Sequence, residues 1–134
     1  MSRKLPRKDC RYCHNEVKRR KAYYCDTFCQ HNYIKCVYLL KWKLGVIKGA
    51  EKTPNYIRNY ILEKYKNQCA RCGWNQINPS TGKVPLEVEH IDGDFRNIKE
   101  DNLIALCPNC HSLTPTFRAL NKGNGREKRR IKAN

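Results

Sequence analysis

Eight of the nine cysteines fall into four close pairs, and this pairing constrains the fold more than any other feature of the chain. The pairs are Cys10-x2-Cys13, Cys25-x3-Cys29, Cys69-x2-Cys72 and Cys107-x2-Cys110, with Cys36 left over. A C-x-x-C turn presents two thiolates from one tight loop. Two such turns complete a closed, tetrahedral zinc site with Zn–S bonds of roughly 2.3 Å. The spacing predicts two sites of this kind. One is Cys10, Cys13, Cys25 and Cys29, with 11 residues between its pairs; the other is Cys69, Cys72, Cys107 and Cys110, with 34. A chain of 134 residues, 30% of them charged, has little material for a large dry core and needs staples of this sort. Buried free thiols and an iron–sulfur cluster are the alternatives that use the same residues. Cys36 reads as a core thiol on a helix.

Two of the pairs are spelled C-x-x-C-H, at Cys10 to His14 and Cys107 to His111. That spelling is also the attachment signature of a c-type haem. Haem attachment belongs outside the cytoplasm, whereas the opening MSRKLPRKDC has no apolar stretch of the kind an export signal carries. The only methionine is Met1, which removes the commonest second axial ligand. The expectation is therefore zinc and no haem, in a reducing cytosol where such cysteines bind metal rather than pair as disulfides.

Lys and Arg number 28 against 12 acidic residues, a formal net charge of +16. Eight thiolates and two Zn²⁺ would lower it only to about +12. A charge of this size repels itself unless a polyanion offsets it, so nucleic acid is the expected partner. Lys18, Arg19, Arg20 and Lys21 form one basic cluster, and Arg126, Lys128, Arg129 and Arg130 another in the tail. No run of 18 apolar residues and no clean basic amphipathic face points to a membrane.

Local patterns divide the chain into an N-terminal finger with its helix (1–45), a linker (46–53), a second metal-stapled domain (54–121) and a basic tail (122–134). HNEVKRRKAYY, between the first two cysteine pairs, suits a short hairpin carrying Lys18 to Lys21 outward. A helix is expected from Thr27 to about Leu44, with Gly45 as its terminating residue. Thr53-Pro54 predicts a second helix start, cap then proline. Ile57, Tyr60, Ile61 and Tyr65 give it an apolar stripe ending near Asn67. Residues 84–91 read as a strand followed by the Asp92-Gly93 turn, Leu103 to Leu106 as a second strand, and Thr114-Pro115 as the start of a last helical turn. Tyr23, Tyr24, Trp42 and Trp74 are candidates for stacking on bases, with core packing as the other reading.

The segment EVEHIDGDFRNIKEDNLIALCPNCHSL carries the chemistry. Glu89-His90-Ile91-Asp92-Gly93, then Asn102-Leu103-x-x-Leu106-Cys107-x-x-Cys110-His111, with Cys69-x-x-Cys72 upstream, resembles the HNH endonucleases of the ββα-metal class. The likeness covers about residues 55 to 121. With a finger ahead of the nuclease, the whole chain looks like the small HNH proteins encoded by bacteriophages, which would place it in the host cytoplasm. The resemblance implies an α+β fold: a zinc-stapled ββα core preceded by a treble-clef-like finger and helices. It implies His90 as general base, Asn102 tying the hairpin and orienting that histidine, and His111 as ligand of a catalytic Mg²⁺ or Mn²⁺. Glu89 stands where many members have another second metal ligand, and Asp92 reads as a turn residue. The substrate implied is DNA, and the oligomeric state is left open.

The residues support this chemistry on their own terms. Phosphodiester hydrolysis needs a base for water, a cation at the developing phosphate charge, and help for the leaving oxygen. A neutral imidazole supplies the first; a carboxylate and an imidazole can hold the second with coordination positions open. Four thiolates leave no open position, so the stapling zinc is not the catalytic ion. A catalytically silent zinc protein that only binds nucleic acid is the second reading. It would have no use for Glu89, His90 and His111 together. His14 and His31 read as surface or phosphate-contacting residues.

Overall fold

A computed structural model of the chain describes residues 6–49 and 53–123. The basic tail cluster at Arg126 to Arg130, most of the N-terminal arm and the middle of the 46–53 linker lie outside these residues. The chain divides into two compact units, one up to Trp42 and one from Lys43 onward.

In the first unit the backbone pairs across the first knuckle, with Asp9 bridged to Glu16 and the Val17 amide donating to the Lys8 carbonyl at 2.9 Å. The hairpin expected between the cysteine pairs is thus displaced. It straddles Cys10 and Cys13, because the knuckle itself supplies the reversal through the His14 amide on the Cys10 carbonyl. Lys18 to Lys21 instead form an exposed turn, closed by the Ala22 amide on the Arg19 carbonyl. Val17 is fully buried with Cys10 and Cys29, and Ala22 and Tyr24 pack against them. Helix α1 spans Thr27–Lys43. Asp26 caps it, its carboxylate accepting from the Cys29 amide at 2.8 Å, so the same residue starts the helix and fixes a cysteine. Gly45 follows in the left-handed region at φ 73°, as expected of a helix terminator. Only Cys29 and Trp42 of α1 are buried, while Phe28 and Leu40 are exposed. The Lys41-Trp42-Lys43 aromatic is therefore a packing residue.

The second unit begins with α2, Asn55–Lys64. Thr53 does not cap it: Pro54 occupies the cap position with φ −57° and ψ 142°, and its carbonyl accepts from the Arg58 amide. Ile57 and Ile61 of the expected stripe are fully buried. The helix stops earlier than the pattern suggested. Lys66 and Asn67 both turn left-handed, at φ 54° and 53°, and Asn67 donates back to the Leu62 carbonyl, redirecting the chain into Cys69.

Strands β1 (Glu87–His90) and β2 (Leu103–Leu106) pair antiparallel, with Glu89 opposite Ile104 and His90 opposite Leu103. The strand expected over residues 84–91 is cut to four residues. Pro85 has no amide to give, and the Leu86 amide turns to the Val84 carbonyl. Helix α3, Pro108–Ser112, starts inside the last knuckle, where Cys107 accepts from the Cys110 amide. The product is a ββα unit. One cluster of its core is Cys69, Leu86, Leu106, Cys107 and Cys110, flanked by Leu62, Trp74, Val84 and Ile104; Leu103 and Ala105 of β2 are buried too. Trp74 is half-buried against this cluster, in keeping with the packing alternative. No helix begins at Thr114-Pro115. The Thr114 hydroxyl instead donates to the His111 carbonyl at 2.9 Å, closing α3, and a short 3-10 turn follows only at Arg118–Leu120. No helix among the described residues is long and apolar enough to cross a membrane.

Candidate active site

The two predicted tetrads both form. The sulfurs of Cys10, Cys13, Cys25 and Cys29 lie within 4.8 Å of one another, as do those of Cys69, Cys72, Cys107 and Cys110. Cys13 and Cys25 stand 3.6 Å apart, Cys13 and Cys29 3.8 Å, and Cys72 and Cys107 3.8 Å. These are far too long for a disulfide. They match the edge of about 3.8 Å that a tetrahedron with 2.3 Å metal–sulfur bonds requires. In each tetrad one thiol sits low. Burial pushes Cys10 and Cys69 up, but backbone amides pointed at their sulfurs outweigh it and bring both to about 6. Their neighbours move the other way, with Cys29 and Cys110 pushed by burial to about 12. A cavity that gathers four sulfurs and backbone N–H donors suits a dication. The residues fit a structural metal at both places. Cys36 is exposed rather than a core thiol.

The second tetrad anchors the open end of the hairpin. Cys107 follows β2 directly, and the Ala70 amide beside Cys69 donates to the Ala105 carbonyl of the same strand. With the strands held, alternation places Glu87 and Glu89 on one face of β1. Both meet His111 from α3. Glu89 Oε2 lies 2.6 Å from His111 Nδ1, and Glu87 Oε2 lies 3.2 Å from Nε2. Glu89 is largely buried, its side chain 13% exposed, whereas that of Glu87 is 59% exposed. Despite the short distance, Nδ1 is shielded from solvent and not aligned to hydrogen-bond Glu89. A carboxylate oxygen and an imidazole nitrogen that converge in this way suit a shared divalent cation, hard enough for oxygen and tolerant of nitrogen. The other Glu89 oxygen, Oε1, accepts from the Thr116 hydroxyl at 3.0 Å.

His90 closes β1, its Nε2 shielded from solvent. Beyond it the loop is held by Asn102, which is 9% exposed. The Asn102 amide donates to Asp92 Oδ1 and to the Asn97 carbonyl, both at 2.8 Å, and accepts from the Asp92 amide at 3.1 Å. Its own carbonyl takes the Ile91 amide, one rung past the strand. Asp92 also accepts from Asn97 at 2.6 Å and from the Asp94 amide at 2.9 Å. Partial desolvation pushes its carboxyl up, but these hydrogen bonds and the nearby His90 prevail and hold it below the usual value. Asp92 is the turn residue the sequence suggested, and Asn102 is the knot of the hairpin.

The sequence that builds this site has known relatives. Residues 69–114 match the HNH endonuclease family. This segment is similar to an HNH endonuclease domain. Over 77 residues the chain is 43% identical to the H-N-H endonuclease F-TflIV of Escherichia phage T5. That alignment covers 58% of this chain and 32% of the phage protein, so the chain spans about a third of the length of the relative it matches. No solved structure matches the chain significantly. Glu89, His90, Asn102 and His111 all lie inside the HNH segment, as do all four cysteines of the second tetrad. The first tetrad and the Lys18–Lys21 turn lie outside it.

Three residues at the HNH site escaped the sequence reading. Glu87 was signalled by its position two residues before Glu89, on the same strand face. Thr116, which holds Glu89, gave no signal. Nor did Phe117, whose ring meets that of His111 edge-on at 5.1 Å. Their roles depend on where the chain returns after α3.

Proposed function

We propose that this protein is a metal-dependent endonuclease that hydrolyses DNA phosphodiester bonds. The observation that carries the reading is the convergence of Glu89 Oε2 and His111 Nδ1 on a hairpin stapled by four cysteines. In this reading Glu89 and His111 hold one Mg²⁺ or Mn²⁺. Bound there, the ion supplies positive charge to the phosphate and its departing oxygen. His90, in its neutral form, takes the proton of the attacking water as oxygen bonds to phosphorus and the P–O bond to the leaving strand breaks. Asn102 acts at a distance. By locking Asp92 and the loop after β1 it fixes where His90 stands.

Zinc fills both tetrads in this account, closed by four thiolates and without a catalytic part. The finger and helix at 1–45 and the tail at 122–134 flank the nuclease domain at 54–121. Lys18, Arg19, Arg20 and Lys21, with Arg126, Lys128, Arg129 and Arg130, supply phosphate contacts that position DNA without reading its sequence. Tyr23 adds an aromatic face to the finger, flanked by Lys8 at 4.5 Å and Arg11 at 4.3 Å from its ring centre. The protein works in the cytoplasm of the host cell.

A supercoiled plasmid tests the reading. With Mg²⁺ or Mn²⁺ the protein nicks or linearises it, while His90→Ala and His111→Ala do not, although both still retard DNA on a gel. Equal cleavage by wild type and His90→Ala would sink the assignment of the base.

A further inference from the structure

We propose that residues 114–121, a strap that runs back over the hairpin after α3, position the metal-binding pair, and that Thr116 is the residue that aims Glu89. This rests on the nuclease reading and extends it past the matched HNH residues, since Thr116, Phe117 and Asn121 all follow residue 114.

The strap is tied at three levels. At its start, the Thr114 hydroxyl and amide both bond the His111 carbonyl, at 2.9 and 3.1 Å, and Thr114 is 6% exposed. Midway, the Thr116 hydroxyl donates to Glu89 Oε1 and Phe117 sets its ring edge-on to His111. At its end, Asn121 donates to the Gly93 carbonyl at 2.8 Å, fastening the strap to the turn after β1. Gly93 has no room for a side chain there: a Cβ would stand 2.5 Å from Asn121 Oδ1 and 2.7 Å from Thr116 Cγ2.

The chemical consequence lies in the carboxylate. Glu89 has one more methylene than Asp and one more torsion to fix. With Oε1 engaged by Thr116, only Oε2 remains toward His111 Nδ1, so Glu89 presents a single oxygen and an ion keeps its other positions for water and phosphate. The Phe117 ring limits rotation of His111, and Glu87 beside Nε2 favours the tautomer with its lone pair on Nδ1. Thr116 is thus a positioning residue: it touches neither ion nor substrate.

The test uses the full-length, zinc-loaded protein and Mn²⁺ as the probe, with binding followed by calorimetry and cleavage followed on plasmid. Thr116→Val keeps shape and removes the donor; Thr116→Ser keeps the donor. The expected result is that Thr116→Val weakens Mn²⁺ binding by about tenfold or more, the usual effect of losing such a partner. It should raise the Mn²⁺ needed for half-maximal cleavage in parallel and leave the melting temperature within a few degrees. Thr116→Ser should restore most of both. Wild-type Mn²⁺ affinity in Thr116→Val overturns the strap proposal alone, as does equal impairment of Thr116→Ser. A wild-type protein whose Mn²⁺ binding is insensitive to His111→Ala overturns the nuclease reading, and the strap proposal falls with it.

Discussion

Replacing Cys107 by serine should dismantle the second unit while leaving the first intact. Cys107 is 4% exposed, and its sulfur belongs to the tetrad that holds β2, α3 and the Cys69 turn together. Leu86 and Leu106 pack with it directly, and Ile57, Ile61, Ile98, Leu103 and Ala105 are the other buried aliphatics of the unit among the described residues. Structural zinc contributes on the order of 10–16 kcal/mol to small domains of this kind. Whole domains are stable by only about 5–15 kcal/mol. Losing the ion therefore removes as much as the unit has. Metal analysis should show one zinc lost per chain, because the Cys10–Cys29 tetrad sits in a separate unit. Hydrogen exchange should show the amides of Ala70, which bonds Ala105, and His111, which bonds Cys107, losing protection. The Val17 amide, bonded to Lys8, should keep it. A Cys107→Ser protein with two zincs and protected knuckle amides would refute the stapling argument.

Two further outcomes follow from the second unit. Gly93→Ala should destabilise more than Gly82→Ala. Both glycines have positive φ, 74° and 65°, a cost of about 1–2 kcal/mol for alanine. Only at Gly93 does the new methyl strike Asn121 and Thr116, whereas nothing lies within 4 Å at Gly82, so equal urea midpoints would contradict the packing described. Glu100 makes stability pH-dependent: the hydrogen bond from Lys64, with Tyr60 and Lys43 nearby, holds its carboxyl below the usual 4.5. A group lowered in the folded state stabilises above its unfolded pKa and ceases to as pH falls through the folded one. The melting-temperature gap between wild type and Glu100→Gln should therefore be full near pH 6 and close below about pH 4.5. A gap that widens in acid would reverse the sign.

The sequence by itself determined the features that are local. Two sulfurs in one tight Cys-x2-Cys or Cys-x3-Cys turn point the same way wherever the turn sits, so both tetrads were legible from spacing. So were the Thr27–Lys43 helix with Gly45 behind it, the Leu103–Leu106 strand, and Ile57 and Ile61 as buried positions. Glu89, His90, Asn102 and His111 were legible because their identities and order carry the HNH signature. Boundaries were less so. Pro85 and the left-handed pair Lys66-Asn67 ended elements that the apolar pattern would have prolonged, since a missing amide or a turned backbone overrides side-chain periodicity. Tertiary structure alone decided who meets His111. Glu89 and Thr116 are 27 residues apart and share a hydrogen bond only because the stapled hairpin and the returning strap cross at that point. Contact across such a separation is set by the path of the backbone, which no short-range pattern encodes.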